Sequence, residues 1–157
     1  MAKALEARLG GECVCYYALG NTVPPMTGAS NRLDHITDLS REATVESVDT
    51  TTRATYPDKT SKPAGITNTV SFTLMNWQDP ETKEVAEDIQ FIRNAYDKRS
   101  LISLAVLDAP GGNGYIITGY LLDDQESQGL NEPNTWAMKL EGAARKRRVV
   151  MGVVENA

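Results

Sequence analysis

Few residues in this chain have both the type and the spacing for chemistry. Cys13 and Cys15 lie two apart in a strand-like run. Their thiols therefore point to one face, where a disulfide between them is strained, and they read as reduced thiols in or near a core. His35 is the sole histidine, so any Ser/His/Asp or Cys/His arrangement must use it. It sits in a polar stretch with Pro24, Pro25 and Gly28 and reads as an exposed loop histidine. Two cysteines and one distant histidine do not make a zinc site. Gly111-Gly112-Asn113-Gly114 would cradle a phosphate only if a helix followed. An apolar strand follows, so a hairpin turn is the reading. Asp123, Asp124 and Glu126 carry the oxygens of a hard-cation site, yet three acids ending a strand read as a solvated surface. No aromatic-rich cleft accompanies the carboxylates, as sugar hydrolysis would ask. Arg145-Lys146-Arg147-Arg148 offers four charges to phosphates. Without interleaved aromatics, it reads as a solvated or subunit-bridging segment. Enzyme signatures thus come out poorly, while the spatial separation of the carboxylates is not readable from the sequence.

The chain must position these groups with 157 residues and 17.1 kDa, the size of one domain spanning 1–157. Hydrophobic residues at 41% and charged residues at 24% match an ordinary folded protein and argue against disorder. Sixteen basic against 21 acidic residues leave a net charge of −5, a poor balance for general nucleic-acid binding. Apolar runs such as Val149–Val154 are far too short for a membrane helix. The segment Met1–Arg8 lacks the apolar core of a secretory signal. A soluble, cytoplasmic protein is the expectation.

Period-two patterning dominates. Glu12–Leu19, closed by Gly20, reads as a first strand, and Ala43–Thr50 as an edge-like strand rich in β-branched residues. Ile66–Trp77 alternates Val70, Phe72 and Leu74 with Ser71, Thr73 and Met75, the mark of a sheet with one buried face. Leu101–Leu107 is nearly all apolar, as in a central strand. Tyr115–Leu122 returns after the glycine turn, and Thr135–Glu141 alternates Trp136, Met138 and Leu140 on one face. One helix is expected from Asp79-Pro80-Glu81 to Tyr96, with Asp79 as N-cap and Val85, Ile89, Ile92 and Tyr96 as its apolar stripe. Two long polar stretches, Asn21–Arg41 and Thr51–Ala64, read as loops that are functional or ordered by a partner. The order predicts a mostly-β (α+β) fold: an antiparallel sandwich or barrel with one flanking helix.

From about Leu39 to Glu141 this order resembles the major tail tube proteins of long-tailed, non-contractile bacteriophages, whose fold contractile-tail and type VI secretion tube proteins share. The resemblance rests on Val48-Asp49-Thr50-Thr51-Thr52-Arg53 ending an early strand, then a polar loop and the Gly65-led strand. The single helix before Leu101–Leu107, the hairpin at Gly114-Tyr115 and the last strand Thr135–Glu141 complete it.

That resemblance implies a non-enzymatic virion protein without cofactors. It would form stacked hexameric rings, a hollow tube passing DNA to the host cell, after assembly in the host cytoplasm. Sheets of neighbouring subunits would join edge to edge. Partners would be copies of itself, a tape-measure protein, a tail terminator and distal tail or baseplate proteins, with no membrane. A duct for DNA should repel phosphates rather than bind them, so Glu46, Asp123, Asp124 and Glu126 are candidate lumen acids. Thr52, Arg53, Tyr56, Asp58, Lys59 and Lys62 are candidates for an inter-ring loop. Arg145, Lys146, Arg147 and Arg148 are candidates for a subunit contact. Two other readings are the tube of a contractile injection or type VI secretion device, and a monomeric β-sandwich binding module.

Overall fold

The computed structural model describes residues 11, 13–26, 31–78 and 80–155. Along the chain run β1 (Val14–Leu19), β2 (Ile36–Asp49), β3 (Ser61–Met75), α1 (Glu87–Lys98), β4 (Ile102–Leu107), β5 (Gly114–Ser127), β6 (Thr135–Gly142), β7 (Arg147–Val150) and β8 (Val153–Val154). All strand pairings are antiparallel. The mostly-β plan with one flanking helix holds, as an open sheet rather than a closed barrel.

β5 is the joint of the fold. Its first part, Gly114–Gly119, pairs with β4, and Gly114–Ile116 pair with β7 on the opposite edge. From Gly119 onward it pairs with β6 on the edge away from β4. Two sub-sheets thus share one strand: β1-β4-β5-β7-β8 and β5-β6-β3-β2. Gly119 stands at the changeover, where a Cβ would lie 1.8 Å from the Glu141 carbonyl oxygen. Only glycine permits that approach of backbones.

The main core lies between the sheet and α1. Val70, Phe72 and Leu74 of β3, Trp136, Met138 and Leu140 of β6, and Ile102 and Leu104 of β4 meet Ile89 and Ile92 of the helix. Each fully buried side chain of this size contributes roughly 1.5–3 kcal/mol. A smaller cluster, Tyr16, Ala105, Leu107, Ile116 and Val149, fills the other face of the first sub-sheet.

The helix begins later than Asp79-Pro80. Asp79 lies outside the described residues, and residues 80–86 form turns with a bridge between Gln78 and Val85. Lys83 has a φ of +63°, which no α-helix accommodates. The Ala86 amide bonds the Trp77 carbonyl, and Ala86 is the cap residue. Glu87 and Asp88 supply the first-turn acids. The expected stripe survives, with Ile89 and Ile92 buried and Tyr96 packed against the core. Arg99, in the left-handed region, closes the helix.

Both long loops are shorter than their composition suggests. β2 starts at Ile36 because the polar run Ile36–Glu42 pairs with Thr69–Leu74 of β3, which supplies the apolar side of the ladder. Residues 31–33 lie along the outer edge of β1. There the Tyr17 amide donates to Asn31 and the Leu33 amide to Cys15, both at 2.8 Å. β3 starts at Ser61, through Pro63, beside a register shift at Glu46/Ser47. Proline is tolerated there because β6 reaches only Thr69. The remaining tip, residues 50–60, is held by its own threonines. The amide of Thr60 donates to Thr51 Oγ1, and the Tyr56 amide to Thr52 O.

Candidate assembly surfaces

The sub-sheet β5-β6-β3-β2 has one dry face and one wet face, set by register. Residues opposite one another share a face. Val70, Leu140 and Leu121 fall on the helix side, as do Phe72, Met138 and Leu39. The other side presents Asp38, Ser40, Glu42, Thr44 and Glu46 from β2, all exposed. Beside them stand Ser71 and Thr73 of β3, Lys139 and Glu141 of β6, and Asp123 and Gln125 of β5. Asp123 is directly opposite Lys139, an attractive cross-strand pair. Farther out, Lys62 stands across from Val48. The wet face therefore carries the carboxylates of Asp38, Glu42, Glu46, Asp123 and Glu141 against the ammonium groups of Lys62 and Lys139. Asp38, Glu42 and Glu141 escaped the sequence reading. For Asp38 and Glu42 the signal was a period-two run of polar residues from Asp38 to Glu46; for Glu141 it was a place out of phase with Trp136, Met138 and Leu140 on the last strand.

The four acids expected together do not share this face. Glu46 and Asp123 do; Asp124 and Glu126 stand opposite Met138 and Trp136 on the helix side. The cause is a register shift between Leu121 and Asp123, where an extra residue inverts the alternation. Asp124 instead forms an ion pair with Arg93 of α1 at 2.5 Å, and the Arg93 guanidinium lies 5.0 Å over the Trp136 ring. That cluster pins the helix to the sheet.

Both lateral edges of the same sub-sheet are open. Among the described residues, β2 pairs only with β3 along its fourteen residues. Among the described residues, no strand lies on the β4 side of β5 from Tyr120 to Ser127, because β4 begins opposite Gly119. Exposed strand edges of this length template pairing with another chain.

The other candidates are separated in space. Thr52, Arg53, Tyr56, Asp58 and Lys59 occupy the tip of the β2–β3 hairpin, with Tyr56 largely exposed, while Lys62 belongs to β3. Arg145 and Lys146 link β6 to β7. Arg147 and Arg148 begin β7, and Arg147 bonds Asn21 Oδ1 at 2.6 Å. His35 is not an exposed loop histidine. It is half-buried, with Nδ1 2.9 Å from Asp88 Oδ1, and its ring centroid is 5.6 Å from that of Trp77. The glycine run is the hairpin turn expected, closed by the Asp108 amide on the Asn113 carbonyl. Both cysteines are free thiols; Cys13 is exposed, and burial pushes the Cys15 thiol up to about 12. No group of three or more His, Cys, Asp or Glu side chains is placed to hold a metal among the described residues. No described helix is long and apolar enough to cross a membrane.

This architecture is that of phage tail tube proteins. The SPP1 tail tube superposes with a TM-score of 0.69 at 10% identity, over 90% of this chain and 78% of that one. The tail of an empty gene transfer agent particle, of C6 symmetry, gives 0.65 at 11%, over 89% and 97%. The six-fold symmetrised baseplate of the anti-feeding prophage gives 0.55 at 13%, over 96% and 99%. No protein-family model and no curated protein matches the sequence. At such identities the likeness carries the fold, and the residues must supply the rest.

Proposed function

We propose that this chain is the structural subunit of a phage tail tube, assembling into stacked hexameric rings around a passage for DNA. One observation carries the reading: a four-stranded sheet with two open edges has one wet, acidic face. β2 runs antiparallel to β5 across the sub-sheet, since three antiparallel steps separate them. In a ring all copies point the same way, so β2 of one copy meets β5 of the next in antiparallel register. Four strands per copy and the six-fold symmetry of two of the similar assemblies make a twenty-four-stranded barrel. At about 4.8 Å per strand and the usual tilt, its backbone diameter is roughly 40–50 Å, enough for a duplex.

Two sides of the sheet differ in what they can face. The helix side is already covered, so the wet side turns inward. There Asp38, Glu42, Glu46, Asp123 and Glu141 repel phosphates, which favours transit over retention. The hairpin tip with Thr52, Arg53, Tyr56, Asp58 and Lys59 reaches along the axis toward the next ring, with Lys62 at its root. Arg145–Arg148 lie away from the bore at a subunit contact. The subunit is not an enzyme; its partners are its own copies, a tape-measure protein, a terminator and distal tail proteins, in the virion tail. The likeness to the anti-feeding prophage baseplate supports a second reading, the tube of a contractile injection device.

Electron microscopy of the concentrated protein tests this. Hollow tubes with six-fold end views are expected, and in them the β2 amides gain protection from hydrogen exchange. Particles that stay monomeric at every concentration, with β2 amides already protected, would sink the proposal.

A further inference from the structure

The two ends of the open sub-sheet carry complementary surfaces. At one end the β2–β3 hairpin overhangs β6, which stops at Gly142 beside Asn68. On the helix side of that overhang Val45 and Ile66 stand opposite one another, 54% and 67% exposed. They line an open hollow of about 640 Å³ whose far wall is Arg145 and Lys146. Asn68 Oδ1, also in its lining, is buried without a hydrogen-bond partner. At the other end of the sub-sheet, the β5–β6 turn holds up Leu130, which is 99% exposed, between Glu126 and Glu132.

We propose that Leu130 of one copy seats against Val45 and Ile66 of a second copy in the adjacent ring, with Glu126 and Glu132 facing Arg145 and Lys146. The inference rests on the tube reading and names its axial contact. Two acids flank the apolar knob and two bases flank the apolar hollow, so charge and apolar surface match together. A protomer cannot fill its own hollow. Ile66 and Met75, which marks the turn end of β3, are nine residues apart along one strand, about 30 Å. Knob and hollow lie at opposite ends of strands that run along the stack. The contact is therefore heterologous and open-ended, the kind that extends a filament rather than closing a dimer.

The test is a disulfide trap in the full chain. Leu130→Cys and Ile66→Cys are placed together on a Cys13→Ser background, which removes the exposed native thiol; Cys15 is buried. Assembled tubes are oxidised and run on a denaturing gel without reductant. The expected result is a ladder passing well beyond six subunits, absent in either single variant. A ladder that ends at six, which marks a lateral contact, or tubes with no ladder, overturns the proposal. In parallel, Glu132→Lys should cut tube yield at least tenfold with its thermal melt unchanged, and Lys146→Glu should restore it. Full yield from Glu132→Lys alone also overturns it. If the wild-type chain forms no tubes at all, the tube reading itself is what fails.

Discussion

His35 Nδ1 donates to Asp88 Oδ1 at 2.9 Å, and Asp88 Oδ2 accepts the backbone amides of Asp34 at 3.1 Å and His35 at 3.3 Å. One carboxylate in the first turn of α1 therefore holds the segment that leads into β2. Asp88 is almost fully buried, so its oxygens have little water to fall back on. Replacing Asp88 by Ala leaves two amides and a ring N–H short of a partner, and should cost about 2–4 kcal/mol. Asp88→Asn, which keeps one acceptor, should cost less. Urea midpoints for the three proteins check this; an Asp88→Ala variant within about 0.5 kcal/mol of wild type would show the staple to be idle.

Gly119 and Gly65 should respond oppositely to the same substitution. A Cβ on Gly119 runs into the Glu141 carbonyl at the joint between the sub-sheets, whereas nothing lies within 4 Å of a Cβ on Gly65. Gly119→Ala should lose at least about 1–3 kcal/mol through forced backbone movement, and Gly65→Ala should be neutral or slightly stabilising. Thermal melts of both variants decide it. Equal melting temperatures would mean the joint is not tight.

The acidity of the wet face should be measurable as an indifference to DNA. Wild-type protein is expected to show no salt-sensitive binding to duplex. The triple variant Glu42→Lys, Glu46→Lys, Asp123→Lys reverses the charge balance of that face. It should bind duplex with an affinity that falls steeply as salt rises, the mark of released counterions. Fluorescence anisotropy across a salt series is the assay. A triple variant as indifferent as wild type would place this face away from any DNA path.

Stability should fall at high pH. Burial pushes the Cys15 thiol from 9.0 to about 12, and burial pushes the Tyr115 hydroxyl from 10.0 to about 12 against the opposing pull of Arg41. The folded state holds both groups protonated while the unfolded chain releases their protons. Their contribution is fully present below about pH 9 and is lost as pH rises toward 12. Denaturant midpoints at pH 8 and pH 10.5 should differ, and Cys15→Ala should shrink the difference. A flat profile would mean that both groups are already reached by solvent.

Much of the strand content was legible in the sequence because one buried face leaves a period-two trace. Val70, Phe72 and Leu74, and likewise Trp136, Met138 and Leu140, are buried as their alternation requires. The first half of β2 leaves only the polar half of that trace, at every second residue from Asp38, since the apolar side of its ladder belongs to β3, some thirty residues later. The helix start was misread because Pro80 suits a first helical turn, while the bridge from Gln78 to Val85 holds that segment as a loop. The split of Asp123 from Asp124 depends on a single extra residue in one strand, which composition does not reveal.

The sequence by itself determined the class of fold and the glycine hairpin, because these rest on residue type and near-neighbour spacing. Only the tertiary structure decided which acids share a surface, which strand edges stay open and that His35 is tied to Asp88. Those follow from pairings between residues tens of positions apart. Register sets them, and a shift of one residue moves every later side chain to the opposite face.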